Sequence, residues 1–172
     1  MRKHLGNLKI LLLVLILTLL LVQGEVYAEE YFTFEMGTVT ATSISDMHRA
    51  GFNPLEVSQI GYKRHKDNTY LHIFWGSLDG VHDHRTSYIF GELGYQDNFG
   101  DSPYFWALSI GIGAVSHTDD RYFTSHNMYT EAIRLGYENY YISLRHMSNG
   151  YEPMGNPGPN MGKNTITLGV EF

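Results

Sequence analysis

The chain has 172 residues, no cysteine, 13 tyrosines, 9 phenylalanines, 18 glycines and a formal net charge of −6. Without cysteine it is not a disulfide scaffold, and its acidic balance gives no basic surface for nucleic acid. The many aromatic residues and glycines, and the lack of a long helical period after residue 28, favour an all-β domain.

The first 28 residues have the three parts of a secretory signal. Basic residues precede an apolar run at 10–22, and the small residue Ala28 ends the segment. The apolar run is shorter than the roughly 20 residues that a membrane-spanning helix needs. We therefore predict a signal peptide at 1–28 and one domain at 29–172, because the remaining length suits a single domain.

Eight segments of this domain alternate as β-strands do. The fifth is the clearest, because Trp106, Leu108 and Ile110 share one face while Ser109 and Gly111 share the other. Large apolar groups opposite small ones are typical of a barrel whose outside contacts lipid. The predicted strands are 31–41, 56–64, 69–76, 86–96, 104–115, 128–137, 140–148 and 164–172.

The polar faces of these strands carry few charges. Glu92, Arg134 and Arg145 lie on them, so we expect the three to neutralise one another inside a packed polar core rather than a pore. In the second strand, Ile60 and Tyr62 alternate poorly with their neighbours, and the register of that strand stays open.

The connections alternate in length. Those at 65–68, 97–103 and 138–139 are short, whereas the other four are mostly longer. Short inner turns and long outer loops are typical of outer-membrane barrels. The sequence therefore predicts an eight-stranded antiparallel transmembrane β-barrel, integral to the outer membrane of a Gram-negative bacterium. A soluble periplasmic barrel of the lipocalin kind is the alternative.

The seventh strand ends with two polar residues on its apolar face. His146 and Ser148 are two positions apart, so both would face lipid at the level of the outer leaflet. A base beside a hydroxyl can activate it as a nucleophile for acyl transfer. If 138–139 forms a two-residue turn, Glu131 lies opposite His146 and can stabilise its cationic form. The alternative is that these groups only bind lipid phosphates and sugars.

The sequence around this pair resembles a known family. RHMSNG at 145–150 with NPGPN at 156–160 is similar to the outer-membrane lipid A 3-O-deacylases, the PagL-like acyloxyacyl hydrolases. Their pattern is His-x-Ser-Asn, followed ten residues after the histidine by Asn-x-Gly. The resemblance is specific over 105–172 and only architectural before it.

The resemblance implies a role for each matched residue. Ser148 would be the nucleophile and His146 the general base, while Asn149 and Asn156 would form the oxyanion hole or shape the site. The implied reaction is hydrolysis of the 3-position ester of lipid A. It releases a 3-hydroxy fatty acid and needs no metal or cofactor.

One position departs from the family pattern. Asn160 stands where the family has the third catalytic residue, a glutamate. Either Glu131 supplies the missing charge, or the amide of Asn160 suffices, or the loop is realigned so that Glu152 or Asn164 serves. We prefer Glu131, and loss of the activity is a further alternative.

Other features are weaker. The segment 82–84, His-Asp-His, has metal-binding spacing but no identifiable distant ligand, so we predict no metal site. The expected partners are lipid A or lipopolysaccharide and the outer membrane, without nucleic acid, and a homodimer stays open. The rival function is a non-catalytic barrel with a structural, adhesive or lipopolysaccharide-binding role.

Overall fold

The computed structural model describes residues 28–40, 56–79, 85–118, 125–148 and 162–172. They form eight antiparallel strands in which each pairs with its neighbours along the chain, and the first pairs with the last to close a barrel. The predicted eight-stranded antiparallel barrel is confirmed, and every strand begins and ends within three residues of its predicted bounds. The strands are β1 Glu29–Thr40, β2 Val57–Lys66, β3 Thr69–Asp79, β4 Arg85–Asn98, β5 Tyr104–Val115, β6 Asn127–Tyr137, β7 Tyr140–Ser148 and β8 Lys163–Glu171.

The two ends of the barrel differ. We call the end where β1–β2, β3–β4, β5–β6 and β7–β8 are joined the loop end, and the opposite end, which holds both strand termini and the other three links, the turn end. Two links at the turn end have only two residues, and in each the first residue has a positive φ, 54° at Asp67 and 51° at Glu138. The two-residue turn predicted at 138–139 is confirmed by the pairing of Tyr137 with Tyr140.

The outer surface of the barrel is apolar. Alternation along each strand turns one set of side chains inward and the other set, which includes most of the exposed large apolar residues, outward. In β2, Ile60 lies outside and Gln59 and Lys63 are buried inside, which settles the register that the sequence left open. Exposed apolar side chains come from every strand, for example Phe34, Ile60, Trp75, Leu93, Ile110, Ile133, Ile142 and Leu168.

A cluster of fully buried charges fills the middle of the interior. Glu92 is 2.8 Å from Nη2 of Arg134 and 2.9 Å from Nε of Arg145. The predicted neutralisation of these three residues is therefore confirmed. The sequence did not point to Glu35, whose carboxylate lies 3.3 Å from Arg145 and accepts a hydrogen bond from Tyr141. Towards the turn end a further buried pair joins Lys63 to Glu171 at 2.8 Å.

The interior near the loop end is apolar, so the prediction of a packed polar core is wrong at that end. The inward positions at this end carry aromatic, aliphatic and thioether groups, and the rings of Phe74 and Phe90 stack at 5.6 Å. Burial of these groups contributes hydrophobic stabilisation that a charged core alone lacks. The cluster consists of Val57, Phe74, Leu78, Tyr88, Phe90, Val115, Met128 and Met147.

Candidate active site

β7 carries the predicted base and hydroxyl on its outward face, next to the loop end. Tyr141, Ser143, Arg145 and Met147 point inward and are buried, whereas the residues that alternate with them are outward. His146 and Ser148 belong to the outward set, and both are half-buried rather than fully exposed. The two side chains therefore lie on the same surface as the apolar residues of the barrel exterior.

A row of three polar residues crosses the sheet at His146. Glu131 of β6 is paired with His146, as the turn count predicts, and Asn164 of β8 is paired with it on the other side. Directly paired residues hold their Cβ atoms about 4.5–5.5 Å apart, so each neighbour is within reach of the imidazole. The same register pairs Ser148 with Tyr129.

The imidazole of His146 is held by Asn164. Nδ1 of His146 and Oδ1 of Asn164 are 2.6 Å apart. An amide oxygen only accepts hydrogen bonds, so Nδ1 must carry the proton and donate it. In the neutral ring Nε2 is then the unprotonated nitrogen, which is the form that a general base requires.

Gly162 leaves the space that the ring occupies. A Cβ at this position would lie 2.6 Å from Cε1 and 2.9 Å from Nε2 of His146. The residue also has a φ of 58°, a conformation that other residues adopt only at a cost. Continuing the pairing of Met147 with Lys163 by one step brings Gly162 beside Ser148. The Nε2 edge of the imidazole is therefore on the side of the ring that faces Gly162 and Ser148.

The other contacts that the sequence suggested are not formed by the described residues. Within those ranges, no hydrogen bond or ion pair joins Glu131 to His146, and none joins His146 to Ser148. The catalytic role of Glu131 stays a prediction. Asn149, Glu152, Asn156, Asn160 and the 82–84 segment lie outside the described residues. Among the described residues, no cluster of histidine and carboxylate side chains could hold a metal ion.

A groove of about 840 Å³ runs over the barrel exterior from this row. Glu131, His146 and Asn164 line its polar end, and most of the remaining lining is apolar. This volume falls within the range of about 300–1,000 Å³ that is usual for ligand sites.

Comparisons of the chain with family models, with curated proteins and with solved structures gave no match. The protein is therefore classified by its fold and by its site alone. It is a closed eight-stranded antiparallel β-barrel whose outward face carries a histidine, a serine and an asparagine at one end.

Proposed function

We propose that this protein is an integral outer-membrane serine esterase that hydrolyses the 3-position acyl ester of lipid A. The observation that carries the proposal is the hydrogen bond between His146 and Asn164, on a face of the barrel that is otherwise apolar. It prepares a general base beside a serine where an acyl chain would lie. The RHMSNG and NPGPN motifs support lipid A as the substrate.

The membrane location is supported by where polar and apolar groups lie. Two arginines and two glutamates are fully buried inside, while exposed leucine, isoleucine and phenylalanine cover the outside, which is the reverse of a water-soluble protein. Aromatic residues cluster at the turn end. The ring centroids of Tyr104 and Tyr137 are 4.9 Å apart, and those of Tyr95 and Trp106 are 5.6 Å apart. Such belts are typical of the membrane interface.

The proposed mechanism follows from the tautomer of His146 in which Nδ1 carries the proton. Nε2 of His146 takes the proton of Ser148 as its Oγ attacks the acyl carbonyl, and an oxyanion forms. The bond between the carbonyl carbon and the sugar oxygen then breaks, and His146 returns the proton to that oxygen. Water repeats the sequence on the acyl-serine and releases the fatty acid. Asn164 keeps the ring in the required tautomer throughout.

The test is the mass of lipid A from cells that express the protein. Wild type should remove one 3-hydroxyacyl group, whereas Ser148→Ala, inserted in the membrane at the same level, should remove none. Mass spectrometry of extracted lipid A measures this directly. Extraction that needs detergent would support the membrane location, and release by salt alone would contradict it.

A rival function is non-catalytic binding of lipopolysaccharide, which the missing hydrogen bond between His146 and Ser148 favours. In that case lipid A keeps its mass in both strains. Cells with wild type and cells with Ser148→Ala would then differ in nothing that mass spectrometry detects, and the esterase proposal would fail.

Replacing Gly162 with alanine should lower the rate of deacylation without unfolding the barrel. The added Cβ meets the imidazole of His146 and the backbone oxygen of Met147, and the positive φ adds strain of about 1–3 kcal/mol, so the ring has to turn away from Ser148 or the backbone has to shift. We expect a loss of about 10²-fold in kcat, the cost of misplacing a catalytic group by about 1 Å. Steady-state kinetics on lipid A in mixed micelles would measure it.

Gly100→Ala is the matched control. Gly100 also has a positive φ, 62°, but lies in the link at the turn end, where an added Cβ would meet no heavy atom within 4 Å beyond its chain neighbours. It should keep full activity, so an equal loss in both variants would assign the effect to backbone strain instead of the imidazole.

A further inference from the structure

We infer that Tyr129 is a further catalytic residue, whose phenol donates a hydrogen bond to the oxyanion that forms when Ser148 attacks the ester. This inference rests on the proposed esterase activity and adds to that site a donor from β6. It concerns only the reacting carbonyl group, whichever way the rest of the substrate lies.

Tyr129 is the outward residue directly beside Ser148. The two are paired across β6 and β7, which holds their Cβ atoms about 4.5–5.5 Å apart. Tyr129 is half-buried, whereas Asn127 and Glu131, the outward residues on either side of it in β6, are exposed. Ile112, its partner on β5, is half-buried as well. The ring of Tyr129 is therefore partly covered by its neighbours on the barrel surface.

The hydroxyl of Tyr129 makes no hydrogen bond with any described residue. Other tyrosines differ in this respect. Tyr88 and Tyr141, which point inward, donate to interior side chains at 2.8 and 2.9 Å, and Tyr95 at the turn end is bonded to Asn68 at 3.0 Å. A tyrosine hydroxyl usually finds a partner when its ring is buried. The phenol of Tyr129 is thus available to a ligand at Ser148.

The imidazole and the phenol flank Ser148 from opposite sides. Nδ1 of His146 is bonded to Asn164 of β8, and the Nε2 edge faces Gly162, which directly precedes β8. Tyr129 lies on the β6 side of β7. A carbonyl oxygen that pointed at the imidazole would block the path of the serine proton, so the oxyanion has to develop on the side away from the base. That side is the one that Tyr129 occupies.

The oxyanion needs a donor from the protein because the proposed site faces lipid. Charge that develops where water is scarce is stabilised by hydrogen-bond donors already in position. On the β6 side of Ser148, the ionised carboxylate of Glu131 can only accept hydrogen bonds. Asn127 can donate, but it is diagonal to Ser148 and about 7–8 Å away, as diagonal neighbours in a sheet are. Tyr129 is the donor in direct register with the serine.

The phenol keeps its proton throughout the reaction. Attack by Oγ of Ser148 opens the π bond of the carbonyl group and places the negative charge on its oxygen, which accepts the hydrogen bond from Tyr129. When the bond to the sugar oxygen breaks, the carbonyl group forms again. A hydrogen bond to a charged acceptor is stronger than one to a neutral ester. The phenol therefore stabilises the transition state more than the bound substrate, which raises kcat.

Tyr129→Phe removes the hydroxyl and keeps the ring. We expect kcat for deacylation of lipid A in mixed micelles to fall by about 10²-fold, the usual loss when one oxyanion donor is removed, with KM unchanged. An unchanged kcat overturns the inference. So does a rise in KM alone, which would make Tyr129 a residue that binds the headgroup.

Tyr140→Phe is the matched control. Tyr140 is also an outward tyrosine, but it lies at the other end of β7 and is exposed. It should keep the wild-type kcat and KM. An equal loss in both variants would assign the effect to the seating of the barrel in the micelle and overturn the inference.

Labelling by an alkyl fluorophosphonate tests the donor without lipid A. Oγ of Ser148 forms a bond to phosphorus, fluoride leaves, His146 takes the serine proton, and a phosphoryl oxygen occupies the place of the oxyanion. Mass spectrometry of the intact protein measures the rate, and Ser148→Ala should gain no adduct. We expect Tyr129→Phe to slow the labelling by at least about tenfold and Tyr140→Phe to leave it unchanged.

The two assays together separate this inference from the proposed function. If wild type cleaves lipid A and neither assay responds to Tyr129→Phe, the oxyanion donor fails and the esterase stands. If Ser148 is labelled, and more slowly in Tyr129→Phe, while lipid A stays intact, the assignment of lipid A fails and the donor stands. If Ser148 is not labelled and lipid A is not cleaved, both fail.

Discussion

Purified protein in which alanine replaces Ser148 or His146 should deacylate lipid A at least about 10⁴-fold more slowly than wild type, with the double variant no slower than the slower single one. The two residues act as one unit, since the hydroxyl is a weak nucleophile without the base and the base has no proton to take without the hydroxyl. Mass spectrometric detection of the released fatty acid, under single-turnover conditions in mixed micelles, would measure the chemical step.

Ser58→Ala is the matched control for the loss of a hydroxyl. Ser58 also lies on the outward face, but on β2, where its Oγ contacts only the hydroxyl of Ser77 at 3.3 Å among the described residues. It should keep the wild-type rate. Losses at Ser148 and His146 that multiply in the double variant would contradict a shared mechanism and indicate independent binding roles.

The third member of the site is assigned by its own variants. Asn164→Ala leaves Nδ1 without its acceptor, so both tautomers of His146 become populated and we expect the rate to fall by up to about 10⁴-fold. Asn164→Asp keeps the acceptor and adds a charge that stabilises imidazolium. It should at least match the wild-type rate. Glu131→Gln should change little, and a large loss there would restore Glu131 as the third residue.

The strands could be predicted because the barrel separates faces so strongly. In β5, the exposed Leu108 and Ile110 alternate with the smaller Ser109 and Gly111, with the period of two that a strand imposes. What could not be predicted depends on contacts between distant strands. Glu35 joins the charge cluster across the β1–β8 closure, a pairing that no local turn reveals.

The candidate site also has parts that could be predicted from the sequence and parts that could not. The pairing of Glu131 with His146 follows from counting back from a two-residue turn. The link between β7 and β8 is too long for such a count, so Asn164 was only one of several candidates from the sequence. Once Asn164 is opposite His146, Gly162 falls beside Ser148. The role of that glycine could be recognised only with this register.

Replacing Glu92 with glutamine should destabilise the barrel by about 3–5 kcal/mol, the usual cost of removing one partner from a buried ion pair. The carboxylate is fully buried and accepts hydrogen bonds from Arg134, Arg145, Ser109 and Thr130. Glutamine keeps the shape but leaves two guanidinium groups facing the single carboxylate of Glu35. Urea unfolding in detergent, followed by the gel mobility of folded and unfolded barrel, would measure the change.

Removing one of the two cations should offset this loss. Arg134 is the better choice, because its Nε has no hydrogen-bond partner among the described residues, whereas Arg145 uses all three of its nitrogens. In the double variant Glu92→Gln with Arg134→Met, Arg145 and Glu35 remain as a neutral pair at 3.3 Å. Its loss of stability should therefore be smaller than the sum of the two single losses by about 1–3 kcal/mol. Strict additivity would mean that the interior charges are stabilised separately by their neutral neighbours. Arg145 precedes His146 in β7, so Glu92→Gln should also lower deacylase activity by disturbing this strand. The double variant should recover that activity in proportion to its recovered stability.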